Sequence, residues 1–255
     1  MIIIKTKEEI KIIREGGKHL AFVLNKVKDI IKPGISTFEL DEYAFKLIKE
    51  MGDEPAFLNY KPEGAKTAYP ASLCVSVNDE VVHGIPSKNK ILQEGDIVSI
   101  DLGLKHKNLF TDMAMTVGVG EISNSSKKLL ETTEKALYVG IDTARMGNKI
   151  GDIGYAIESF VRPHKYGIVE VLAGHGVGKA VHEDPYIPNF GKKGTGEKLV
   201  SGMIIALEPM LNNGTKNVIL DKDNWTFKTA DGKKSAHFEH TILITDGDPE
   251  ILTKI

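Results

Sequence analysis

Four acidic side chains in this sequence stand where a carboxylate is costly. Asp101 closes the apolar run Ile97-Val98-Ser99-Ile100, Glu208 closes Met203-Ile204-Ile205-Ala206-Leu207, and Asp112 and Glu239 lie inside strand-like runs. A carboxylate in such surroundings must be compensated. Lys105-His106-Lys107-Asn108 reads as a hairpin turn. Centred between His106 and Lys107, it sets Asp101 directly opposite Asp112, with Cβ atoms about 5 Å apart. Two like charges so placed repel, no Lys or Arg stands next to them on the strand, and a divalent cation would resolve the conflict. Asp231-Gly232 is a second hairpin signal and sets Trp225 opposite Phe238, one position from Glu239. Four carboxylates converging this way call for two cations bridged by carboxylates.

The chain has eight histidines. His19, His106 and His164 fall at helical or turn positions and read as surface residues. His240 points to the opposite strand face from Glu239, a structural position, whereas His237 shares the face of Glu239 and is a candidate for a pocket wall. In Gly174-His175-Gly176-Val177-Gly178 the alternating glycines exclude a helix and allow close backbone approach, so His175 is placed to give a metal its nitrogen ligand. His182, in Val181-His182-Glu183-Asp184-Pro185, and His83, before the Gly84-Ile85-Pro86 turn, are further site candidates.

The elements that must position these groups repeat. Helical spacing runs over residues 7–31, ended by Lys32-Pro33-Gly34, and a second helix follows Ser36-Thr37 with Glu39 in its first turn. Residues 52–70 read as a loop, and strand-like runs follow at 73–77, 81–82, 96–103 and 109–119. Helices then return at 126–141 and from Gly151 to Arg162, with strands at 168–172, 203–211 and 236–245. Gly34 to Leu40 aligns with Gly147 to Ile153, and Glu94 to Asp101 aligns with Ser201 to Glu208, both at an offset of roughly 110 residues. The order implies a duplicated helix–helix–strand–strand unit: an α+β fold, one domain over 1–255, with pseudo-twofold halves of about 1–122 and 123–255. Composition agrees with a soluble globular chain: of 255 residues, 41% are hydrophobic and 27% charged. The net charge of −2 supplies no global field for nucleic acid or anionic membrane. The single cysteine, Cys74, excludes an intrachain disulfide and a Cys-based zinc site. The Ile2–Ile4 run is too short for a signal h-region, so a cytoplasmic protein is expected.

Taken together, His83-Gly-Ile-Pro, the strand ending in Asp101, Thr111-Asp112, Gly174-His175-Gly-Val-Gly, His182-Glu-Asp-Pro, Glu208-Pro-Met and Phe238-Glu239-His240-Thr resemble the type I methionine aminopeptidases. The likeness runs from about residue 5 to the C-terminus. It implies the pita-bread fold, with helices covering a curved antiparallel sheet, and five metal ligands: Asp101, Asp112, His175, Glu208 and Glu239. It implies removal of the initiator methionine from nascent chains and peptides with a small second residue, by attack of a hydroxide bridging two divalent ions. Glu208 would be general acid/base, His182 would stabilise the oxyanion, and His83 would contact the scissile amide nitrogen. Tyr69, Cys74, Trp225 and His237 fall at pocket positions for the methionine side chain.

The oxygen-rich ligand set suits Mn, Fe(II) or Co, with Zn a further candidate. The resemblance also implies a monomer, transient association with the ribosome, and no specificity for nucleic acid or membrane. Three features depart from the family pattern: Val181 for an aromatic residue, Gly103 for a hydroxyl-bearing one, and a bulkier Phe57 with an enlarged 61–68 stretch. The alternatives are a proline-specific or creatinase-like pita-bread peptidase, or a non-catalytic pita-bread binding module.

Overall fold

A computed structural model describes residues 2–255. Helices α1 (Lys7–Asp29) and α2 (Thr37–Glu50) lead into β1 (Glu54–Pro55), β2 (Leu73–Val77), β3 (Glu80–Val82) and a long hairpin of β4 (Ile97–His106) and β5 (Leu109–Gly118). Helices α3 (Asn124–Thr143) and α4 (Ile150–Val161) open the second half, and a 3-10 turn follows at Arg162–His164. The remaining strands are β6 (Gly167–Ile168), β7 (Gly174–Gly176), β8 (Glu183–Ile187), β9 (Ile204–Leu207), β10 (Met210–Asn212), β11 (Val218–Leu220), β12 (Phe227–Thr229), β13 (Ser235–His237), β14 (Glu239–Leu243) and β15 (Glu250–Ile251).

Helix starts are fixed locally. The Glu9 amide donates to Thr6 Oγ1 at 3.2 Å while the Thr6 amide donates to Glu9 Oε2 at 2.8 Å, and Ser36 with Glu39 repeats this capping box at α2. The two halves also share their entry bonds. The Gly34 amide donates to the Leu92 carbonyl at 2.8 Å, and the Gly147 amide to the Leu199 carbonyl at 2.9 Å. Both glycines have positive φ, 91° and 95°, a region that a Cβ disfavours.

A nine-stranded antiparallel sheet runs β1-β4-β5-β14-β9-β7-β8, with β2 also on β4 and β15 on β14. On β4, Val98, Ile100, Leu102 and Leu104 join the core under α1 and α2, while α3 and α4 bury Ile205, Leu207 and Ile242. Ser99, Asp101 and Gly103 therefore take the other face.

Several expectations are corrected. The β4–β5 turn is centred one residue later, on Lys107 and Asn108, both at positive φ (46° and 67°). A two-residue turn of this kind matches the right-handed strand twist, and Asn tolerates its backbone. Asp101 consequently pairs with Ala114, and Asp112 with Gly103. The shift of two preserves the face, so the two acids are diagonal neighbours instead of direct partners.

Asp231-Gly232 is a turn, but β12 pairs with β11 and β3, and β13 with β10, so Trp225 does not face Phe238. Asp231 instead fastens the turn by accepting from the amides of Thr215 and Lys233. The run 203–211 breaks at Glu208-Pro209, where Pro cannot donate to a ladder, and 236–245 breaks at Phe238. Of the strand expected at 168–172 only Ile168 is in one, β6, and β1, β7, β8, β11 and β15 were not anticipated. His106 is buried at the end of β4 and His19 is partly buried, so neither is the surface residue expected.

Candidate metal centre

The sheet assembles the acids in adjacent rows. Cys74 pairs with Asp101, Asp101 with Ala114, and Ala114 with Glu239, so one row crosses β2, β4, β5 and β14. Asp112 lies one step along β5. The Thr241 hydroxyl donates to its carbonyl at 2.7 Å and accepts from its amide at 2.9 Å. Ala206 pairs with both Thr241 and His175, which brings β7 alongside, and Glu208 follows the end of β9.

Asp101, Asp112 and Glu239 each offer an oxygen, and those atoms lie within 4.8 Å of one another. His175, Glu208 and Glu239 form a second such group, with Glu239 common to both, and Asp112, His175 and His182 form a third. Side chains at Gly174 or Gly176 would collide with backbone oxygens of Ala206 and Asp184, which is why glycine flanks His175. The His175 Nδ1 lies 2.9 Å from the Gly176 carbonyl. A carbonyl only accepts, so Nδ1 carries the proton and the lone pair sits on Nε2, 3.5 Å from Glu208 Oε1. Metal-ligating histidines are oriented by this kind of bond.

No Lys or Arg ion-pairs with any of the four acids among the described residues, and Asp101 Oδ1 and Glu239 Oε1 are buried without a hydrogen-bond partner. Burial pushes Asp101 up to about 7 and Glu208 up to about 8. Asp112 and Glu239 are raised well above the carboxylate range, first by burial and then by their acidic neighbours. Burial, with His182 adding to it, lowers His175 to about 3 and His83 to about 4, so both rings are neutral. Orphaned carboxylate oxygens, no lysine or arginine partner and a neutral imidazole are a donor set that fits divalent cations.

These groups line a cavity of about 560 Å³, its open mouth included. Tyr69, Cys74, Trp225 and Phe57 form its apolar wall, and His83 and His182 also line it. His182 is exposed on its outer side, and crowding on its inner side lowers its pKa. His237 is not on the cavity wall. It lies behind Glu208, with Nε2 3.5 Å from Oε2, and Thr116 Oγ1 bonds both its amide and its carbonyl.

Two departures are one feature: the Phe57 ring fills the space at Gly103, where a Cβ would stand 2.6 Å from Phe57 Cε1. The 61–68 stretch lies against the turn carrying Trp225, joined by Lys66–Asn224 (3.0 Å) and Trp225–Thr67 (3.2 Å) bonds, and adds Pro62 to the cavity wall. Val181 packs with Phe57, Tyr69 and Cys74. Sequence reasoning missed Tyr60, whose hydroxyl is 2.7 Å from His182 Nδ1, and Thr241. A tyrosine in a Gly/Pro-rich loop and a threonine in a strand give no local signal.

Residues 11–246 match the model of metallopeptidase family M24. Methionine aminopeptidase 1 of Bacillus subtilis is 46% identical over 255 residues, covering 100% of both chains. The crystal structure of a methionine aminopeptidase from Thermotoga maritima superposes with a TM-score of 0.95 at 42% identity, again covering 100% of both chains. A prolidase from Pyrococcus horikoshii shares the fold at TM-score 0.76 and 24% identity, this chain covering 64% of its length.

The raised acids set a pH dependence for the cation-free chain. Their folded pKa values lie above the unfolded ones, so the folded state binds more protons and stability falls as pH rises toward 8. Above about pH 7.5 the histidines no longer oppose this, being largely neutral in both states. The urea midpoint of chelator-stripped protein is expected to drop between pH 6.5 and 8, and added Mn(II) to flatten the profile. A flat profile without metal would mean that the acids are already compensated by the protein.

Proposed function

The chain belongs to metallopeptidase family M24 and has its pita-bread fold, and from that premise we propose how its residues release an N-terminal methionine from peptides and nascent chains. It is a metal-dependent methionine aminopeptidase, a hydrolase. The observation that carries the residue roles is the convergence of Asp101, Asp112, His175, Glu208 and Glu239 on one cavity. These five would hold two divalent ions, and the oxygen-rich set favours Mn, Fe(II) or Co over Zn. When bound, such ions supply Lewis-acid polarisation and a water acidic enough to attack an amide near neutral pH.

The chain's own groups do the rest. Glu208 holds and returns the proton that passes from the water to the leaving amine. His182 donates to the carbonyl oxygen as charge develops there, and the Tyr60 hydroxyl fixes its ring through Nδ1. His83 faces the scissile nitrogen. Tyr69, Cys74 and Trp225 receive the methionine side chain, while Phe57 and the 61–68 stretch crowd the second residue. His237 acts from behind, steadying Glu208. The 1–255 chain works as one domain and a monomer, in the cytoplasm and in transient contact with the ribosome, where such substrates emerge. No helix among the described residues is long and apolar enough to cross a membrane.

Hydrolysis of Met-Ala-Ser, Leu-Ala-Ser and Met-Trp-Ser with Mn, Co or Fe(II), and after chelation, tests the reading. Methionine release is expected from Met-Ala-Ser only, and only with metal; no cleavage by a folded, cation-loaded protein would overturn it. Glu208→Gln is expected to lower kcat by at least about 100-fold with the fold intact, and near-normal turnover would remove Glu208 from the proton path. Tyr60→Phe loses one hydrogen bond, so kcat should fall by roughly threefold to tenfold with KM little changed. An unchanged kcat would show that His182 needs no such support.

A further inference from the structure

A second group of metal-type donors lies outside the cavity. Asp53, in the link between α2 and β1, is 3% exposed. Each of its carboxylate oxygens faces an imidazole: His19 Nδ1 is 2.7 Å from Oδ2, and His106 Nδ1 is 2.6 Å from Oδ1. The three side chains come from α1, the α2–β1 link and the last residue of β4, and their donor atoms lie within 4.8 Å of one another. The two rings cross edge to face, 5.0 Å between centroids. His106 is five residues along β4 from Asp101, about 17 Å at the rise of an extended strand.

Packing alone leaves two features unexplained. Two imidazoles from different elements turn the same nitrogen, Nδ1, toward one buried carboxylate. The other nitrogen of His106, Nε2, is buried without a hydrogen-bond partner, although Glu15 Oε2 is 3.2 Å away. A histidine that ligates through one ring nitrogen while a carboxylate stands behind the other is the usual build of a metal site.

The geometry points to a separate site for a zinc-class divalent cation, ligated by His19 Nδ1, His106 Nδ1 and Asp53, that fastens α1 to the α2–β1 link and the β4–β5 tip. Two imidazoles and one carboxylate are donors suited to Zn(II). The His19 side chain is 26% exposed, so water can complete a tetrahedron. Tetrahedral ligands at about 2.1 Å stand about 3.4 Å apart, so the two His–Asp53 spacings need to open by less than about 1 Å. On binding, the cation takes the place of the proton on each Nδ1, and that proton passes to Nε2 or, where Nε2 already carries one, to water. The new His106 Nε2–H then gains Glu15 as acceptor, and Asp53 and Glu15 together balance the cation's charge.

The test is zinc content and calorimetric titration of the chelator-stripped full chain, compared with His19→Gln and His106→Gln. The wild type should hold one more Zn(II) per chain than either variant, and zinc should raise its Tm more. Turnover of the Mn-loaded variants should match wild type, since neither residue belongs to the cavity. Crystals soaked in Zn(II) should give an anomalous peak between His19, Asp53 and His106. Equal stoichiometry in all three proteins, or peaks confined to the Asp101–Glu239 cavity, would overturn the assignment. Should His106→Gln not fold, the partly exposed His19→Gln carries the comparison alone.

Discussion

Like charges in an apolar setting govern this molecule. Asp101, Asp112, Glu208 and Glu239 sit on one face of a sheet whose opposite face is packed with aliphatic side chains from both halves. Neither a lysine nor an arginine answers them among the described residues, and two of their oxygens have no partner. A carboxylate buried that way is unfavourable unless it is protonated or met by a cation. The protein chain holds the conflict in place, and divalent ions would resolve it.

The irregularities of the sheet serve that arrangement. Pro209 ends the β9 ladder directly after Glu208, and Phe238 separates β13 from β14 directly before Glu239. The chain thus leaves the large sheet for a small one beside Glu208 and returns from that small sheet to the large one beside Glu239, freeing side chains that a continuous strand would have packed. Thr241 holds the Asp112 backbone from the neighbouring strand, and the glycines beside His175 let β7 lie close to β9 and β8. Backbone proximity here does the work that side-chain packing does in the aliphatic layer.

Around the acids, the shape of the cavity is a matter of bulk. Phe57 occupies volume that Gly103 vacates, so two departures that look independent in the chain cancel in space. The 61–68 stretch leans on the Trp225 turn and brings Tyr60 to His182, which couples the mouth of the cavity to the proposed oxyanion contact. Lys5 and Glu183 form a buried ion pair next to His182, and Glu183 also accepts from the amides of Lys179 and Ala180, so the N-terminal segment fastens the same loop.

Much of this was legible in the chain. Amphipathic spacing and capping residues gave the four helices, and alternation on β4 and β5 gave the face on which the acids lie, because both signals are local and periodic. The hairpin register was misjudged by two positions, yet the acids stayed on the right face, since side chains alternate with period two. What the sequence could not carry was any contact whose partners are distant and unpatterned. The strand exchange that parts Trp225 from Phe238, the retreat of His237 behind Glu208, the Tyr60–His182 bond and the His19–Asp53–His106 cluster all depend on which edges pair in three dimensions. Local propensity names an element and its faces; only tertiary packing decides which faces meet.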